Sequence, residues 1–154
     1  MKINFIKTSS DHVLSCERKD GSITWRHITP FFISHDLCHI AVETTIPLRN
    51  AFFGMIANGI DISEFDRPKD QRTIQLNDEA LLAEHLVNLL TIEYSQGKIE
   101  NFVEILSSIY KENGGASLNN IITEKKLEQI RNKFNELMVQ WQSVPANGSM
   151  TLEL

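Results

Sequence analysis

The run HVLSCERKDGSITWRHI (residues 12–28) leads directly into TPFFISHDLCHIAVETT (residues 29–45), and the hydrophobic period changes between the two. In the first, two strand-like stretches flank Asp20 and Gly21. An Asp-Gly pair in that position is a hairpin signal, because Gly accepts the positive φ the turn demands. Upstream, Ile3 and Phe5 alternate with Lys2 and Asn4, which adds a strand. After Pro30 and the apolar Phe31, Phe32 and Ile33, Ser34 is the expected N-cap of a helix running from about His35 to Thr44, closed by Pro47.

The rest of the chain reads as helices with punctuation. Asn50 to Asn58 forms a second helix, ended by Gly59. Residues 60–77 are polar, contain one Pro and keep no period, so a long connection is expected there, of the kind often found near a site. Asn77 caps a helix through about Ser95, with Gly97 as its stop; a further helix spans Ile99 to Lys111. The last helix, Thr123 to about Gln142, places Leu127, Ile130, Phe134, Leu137, Met138 and Trp141 on one stripe. The tail MTLEL, residues 150–154, alternates like an edge strand and is a candidate partner for the N-terminal strand. The fold class is therefore α+β: a small antiparallel sheet packed on one side by about five helices, in a single domain over 1–154.

Composition narrows the function classes. With 42% hydrophobic and 23% charged residues, the 154-residue chain is ordinary for a globular protein that buries a core. A net charge of -5 gives a field that repels nucleic acid and anionic lipid, so neither nucleic acid nor membrane is an expected partner. Cys16 and Cys38 form no CxxC arrangement and read as reduced thiols. MKINFIK at the start alternates instead of forming a signal-peptide core, and no apolar run nears the roughly 20 residues needed to span a bilayer, so a cytoplasmic location is expected. Glycine-rich phosphate loops and the GxSxG elbow are absent from the sequence.

The chemistry concentrates in HDLCHIAVE, residues 35–43. Steps of four residues drift by only about 40° on a helix, so His35, His39 and Glu43 share a stripe with Asp36 beside it, opposite Leu37, Ile40 and Ala41. His35 and His39 lie about 6 Å apart along the axis, within reach of one ion, whereas Glu43 is about 12 Å from His35 and suits orienting His39 through its free ring nitrogen. A third ligand must come from elsewhere; His85 and Glu84 are the candidate donors by residue type. Two imidazoles and a carboxylate suit Zn²⁺ or Fe²⁺, and such a site would let Asp36 or Glu43 act as base toward metal-activated water on a small-molecule substrate. A solvated or hydrogen-bonded stripe on an amphipathic helix would produce the same pattern, and His85, set among leucines, also fits a hydrogen-bonded core residue. A second function class is a non-catalytic module that forms a homodimer, or binds a partner protein, through the stripe of the last helix.

Two resemblances bear on this stretch. The His pair at i and i+4, with a carboxylate directly after the first, resembles the HExxH helix of zinc hydrolases; that implies His35 and His39 as ligands and puts Asp36, one methylene shorter than Glu, in the base position. DGSITW at 20–25 together with HDLCHIAVETTIPLRNAFFGMIANGIDI at 35–62 resembles a family of small bacterial proteins with an HDLxHxxVE helix followed by a glycine-containing aromatic helix. That resemblance implies no assigned activity.

Overall fold

A computed structural model describes residues 1–115, 118 and 121–154. Strands β1 (Lys2–Lys7), β2 (His12–Glu17), β3 (Ile23–Ile28) and β4 (Ser149–Glu153) form one sheet in the order β3-β2-β1-β4, with every neighbouring pair antiparallel. Helices α1 (Pro30–Thr45), α2 (Phe52–Ala57), α3 (Asp78–Gln96), α4 (Phe102–Glu112) and α5 (Glu124–Ser143) complete an α+β fold. The β2–β3 hairpin turns at Gly21, whose φ of 83° is the left-handed conformation that the Asp-Gly signal anticipates. The tail does return to the N-terminal strand: Met150 pairs with Phe5 and Leu152 with Ile3.

Period-two alternation sorts the sheet into a buried and an open face. Ile3, Phe5, Leu14 and Cys16 are fully buried, and the residues of β3 opposite Cys16, Leu14 and His12 are Thr24, Arg26 and Ile28. Arg26 therefore points to the helix side, while Ile23 and Trp25 lie exposed on the outer face. Two of the three large apolar residues of β3, Ile23 and Trp25, face outward, and only Ile28 faces the core.

α1 lies at the centre of the helical layer, packed against α2, α3, α5 and β3. It begins one turn earlier than the Ser34 signal suggests. Thr29 is its N-cap and Pro30 takes the first turn, where a missing N–H costs nothing and the ring's fixed φ fits the helix. Ser34, inside the helix, donates instead to the Phe31 carbonyl at 3.2 Å. α3 starts at Asn77, whose side chain accepts from Ala80 N–H at 3.0 Å, and stops at Gly97, φ 99°. The 60–77 connection holds two short 3-10 turns, Ile62–Asp66 and Lys69–Gln71. α4 begins at Phe102, a few residues later than its period suggests, after Asn101 in the left-handed region.

The apolar stripe of α5 is spent inside this fold. Leu127, Ile130, Phe134, Leu137, Met138 and Trp141 are all buried in the same core that holds α1 and the sheet, so the stripe is not a free face for a second copy or a foreign partner. Truncating Phe134 to Ala should lower unfolding stability by about 3–5 kcal/mol in urea titration, as removal of a buried ring does. Val139→Glu, on the exposed side of the same helix, should change it by no more than about 0.5 kcal/mol.

Candidate metal centre

α1 carries its polar stripe into the interior. Asp36, His39 and Glu43 are 1%, 1% and 6% exposed, so the solvated-face alternative does not describe this helix. α2 and α3 cover it, and each polar group must find a partner among protein atoms.

Glu43 finds its partners on α2. Ala51, the N-cap residue of that short helix, offers no side-chain cap, and the first-turn N–H groups of Phe53 and Gly54 donate to Glu43 Oε2 at 3.0 and 3.1 Å instead. The approach requires glycine at 54, because a Cβ there would stand 2.2 Å from the Arg49 carbonyl oxygen. The other carboxylate oxygen of Glu43 lies 3.1 Å from His39 Nδ1. With Glu43 ionised, Nδ1 carries the hydrogen and the lone-pair side of the ring, Nε2, faces the opposite way.

There it meets α3. His39 Nε2 is buried without a hydrogen-bond partner, with Glu84 Oε1 at ion-pair distance, 3.4 Å. The His35 ring centroid is 4.9 Å from that of His39, and His35 Nε2 is 3.9 Å from Glu84 Oε2. His35, His39 and Glu84 thus each offer one ligand atom, all within 4.8 Å of one another. A tetrahedral ion with bonds of 2.0–2.1 Å needs donor atoms about 3.4 Å apart. The His39–Glu84 pair already has that spacing, and the wider gaps are those to His35, which is partly exposed. This cluster can hold a metal ion.

A second carboxylate stands behind His35. Asp36 Oδ1 is 3.5 Å from His35 Nδ1, and Asp36 accepts from Arg26 Nη2 at 3.2 and 3.0 Å. Arg26 also donates to Asp66 at 2.7 Å and lies over the Phe52 ring. Each imidazole therefore has a carboxylate beside Nδ1 and Glu84 beside Nε2.

Charge follows this geometry. Burial opposes charging of His39, but Glu43 and Glu84 outweigh it and push its pKa up to about 9. Burial likewise opposes ionisation of Glu84, yet His39, with help from His35 and Arg72, holds its carboxyl below the ordinary value. A proton on His39, placed between two carboxylates, fills the role an ion would fill.

The sequence-predicted residues take unequal places. His35 and His39 converge, with Glu84 as the third donor. His85, the alternative third ligand, is not part of the cluster; its ring sits edge-on to Tyr110 at 6.4 Å, and its Nε2 is buried with no hydrogen-bond partner. Asp36 and Glu43, expected as bases, are both occupied, the first by Arg26 and the second by two backbone amides and His39. Glu43 also holds His39 through Nδ1, whereas Asp36 lies 3.5 Å from His35 Nδ1, which is buried without a hydrogen-bond partner. Cys38 is buried, which raises its thiol pKa and leaves it inert. Arg26 was missed; its alternation with Ile28 was the available signal.

His35 and Glu84 form part of the wall of a cleft of about 610 Å³, shared with Arg26, Arg72, His85 and Phe52. Its size suits a small molecule. Among the described residues, no helix is long and apolar enough to cross a membrane. Comparisons with protein-family models, with curated proteins and with solved structures give no match.

The coupled charges set a pH window. His39 has a folded pKa of about 9 against an ordinary 6.5, so its contribution to stability is complete below about 6.5 and disappears as pH rises through 9. Glu84 has a lowered folded pKa, so its contribution is present above the ordinary 4.5 and is lost on acidification. Urea midpoints measured in chelator should therefore fall between pH 6.5 and 9, and Glu43→Gln should flatten that alkaline limb. An NMR titration that places His39 at or below its ordinary pKa would refute the arrangement.

Proposed function

We propose that this protein binds a divalent transition metal, Zn²⁺ or Fe²⁺, through His35, His39 and Glu84, and uses it to hydrolyse a small molecule held in the adjoining cleft. The observation that carries this reading is His39 Nε2: buried without a hydrogen-bond partner, its ring orientation set by Glu43, and 3.4 Å from a carboxylate of another helix. Two imidazoles and one carboxylate on one side of an ion, with carboxylates behind both rings, is a donor set found in catalytic zinc sites and in non-haem iron sites. Because His35 and Glu84 border the cleft, the remaining coordination positions would open toward it. A bound ion would lower the pKa of water toward neutrality, which removes the need for Asp36 or Glu43 as a free base. Glu43 keeps the His39 ring aligned, and Asp36 places negative charge 3.5 Å from His35 Nδ1.

Some of the residues that carry the resemblance to small bacterial proteins build or flank this cluster, while Glu84 lies outside the resembling stretches. His35, Asp36, His39 and Glu43 surround it, and Gly54 supplies an amide to Glu43. This coincidence supports membership of that family and a common metal-binding role for its HDLxHxxVE helix.

Elemental analysis of protein purified without a histidine tag should give one ion per chain. His35→Ala, His39→Ala and Glu84→Ala should each abolish stoichiometric binding, and His85→Ala should retain it. Glu43→Gln should bind about 10–100-fold more weakly, the usual cost of losing a group that orients a ligand. Since the ion must displace the proton of His39, affinity should rise by roughly tenfold per pH unit up to about 9. Wild-type protein without ion and without affinity in titration would end this reading.

A further inference from the structure

The long connection between α2 and α3 contributes Arg72 to the cleft wall, and this arginine differs in kind from Arg26. Arg26 is neutralised, with Asp36 on one side and Asp66 on the other. Arg72 donates from Nε to the Arg67 carbonyl at 2.8 Å and from Nη2 to the Phe65 carbonyl at 2.7 Å, and among the described residues no carboxylate forms an ion pair with it. Main-chain carbonyls fix the orientation of a guanidinium without cancelling its charge. The result is a half-buried, preorganised cation facing a cleft, with its remaining donors uncommitted.

The rest of the wall describes what would fit beside it. Phe52, Phe65, Leu76 and Leu81 provide apolar surface, and Asn88 and His85 Nε2, which is buried without a hydrogen-bond partner, provide hydrogen-bonding groups. Of the carboxylates in the wall, Asp36 and Asp66 are paired with Arg26, and Glu84 would be a metal ligand. With an ion in place, the cleft carries net positive charge: two arginines and a divalent cation against three carboxylates.

Resting on the metal-site reading, we propose that the cleft selects small substrates bearing an anionic group, carboxylate or phosphate, which docks on Arg72 while an apolar body lies against Phe52 and Phe65. An anion there replaces the water lost from a partly buried guanidinium, and the fixed side chain gives up little rotamer freedom on binding. The ion marks the reacting end of the ligand and Arg72 its anchor.

The test uses the full chain loaded with Zn²⁺ and titrated by calorimetry with benzoate, phenyl phosphate and neutral benzamide. Wild type should bind at least one of the two anions tenfold or more tightly than benzamide, and the better anion identifies the headgroup chemistry. Arg72→Gln should keep its zinc stoichiometry and lose that preference, whereas Arg72→Lys, which retains the charge, should keep part of it; the unfolding midpoints of both variants establish that they fold. Equal binding of anion and amide by wild type, or a preference unchanged in Arg72→Gln, would overturn the proposal. Failure of the metal site is visible separately, as wild type without zinc. The same titrations on the metal-free chain then decide about Arg72: a charge preference lost in Arg72→Gln supports the anchor, and no preference refutes it.

Discussion

The carboxylate of Glu43 is the contact on which the polar interior depends. One oxygen serves the first turn of α2 through the amides of Phe53 and Gly54, and the other holds His39 Nδ1. Without it, a short helix would begin with unsatisfied N–H groups and a buried imidazole would lose the acceptor that sets its orientation. Even the backbone is shaped around this contact, because only glycine at 54 lets α2 sit against the Arg49 carbonyl. Helix docking and ring orientation are one interaction.

From Glu43 a chain of carboxylates alternating with nitrogen-bearing side chains runs through the molecule: His39, Glu84, His35, Asp36, Arg26, Asp66. At its inner end these groups are almost fully shielded from water, where each unpaired charge would cost several kcal/mol. Replacing buried ion pairs by an apolar core of equal volume is often neutral or stabilising, so such a chain is weak evidence of a gain in folding stability. What it provides is one imidazole with a fixed ring, His39, and a second, His35, beside it, both next to Glu84. A proton on His39 satisfies the carboxylates in one state, and an ion would satisfy them in another, with the same donors oriented for both.

The cleft joins this rigid interior to an irregular wall. α1 and α3 supply His35, Glu84 and His85, whereas the 60–77 connection supplies Phe65 and Arg72. That segment has its own internal bonding: Arg72 reaches back to the carbonyls of residues 65 and 67, and Glu64 accepts from the Thr73 hydroxyl at 2.7 Å. Helices hold the His35, His39 and Glu84 cluster, and a cross-tied loop lines the cleft beside it.

Local pattern was enough for much of this fold. Asp20 and Gly21 announced the hairpin, Asn77 and Gly97 the ends of α3, and the alternation of 150–154 a returning strand, because turns, caps and pleats are dictated by a few neighbouring residues. Periodicity also put His35, His39 and Glu43 on one stripe of α1. It did not say what covers that stripe; burial came from α2 and α3 docking over it, a contact between residues far apart in sequence. The choice between Glu84 and His85 was equally out of reach, since adjacent residues diverge by about 100° around a helix and only the rotation of α3 against α1 decides which one faces the imidazoles. Arg26 is the remaining instance: its neighbours Ile23 and Trp25 look like the buried face, and it is the pairing of β3 with Leu14 that turns the arginine inward to meet Asp36. Spacing along the chain determines which side chains travel together, and tertiary packing alone determines which of them are removed from water and made to converge.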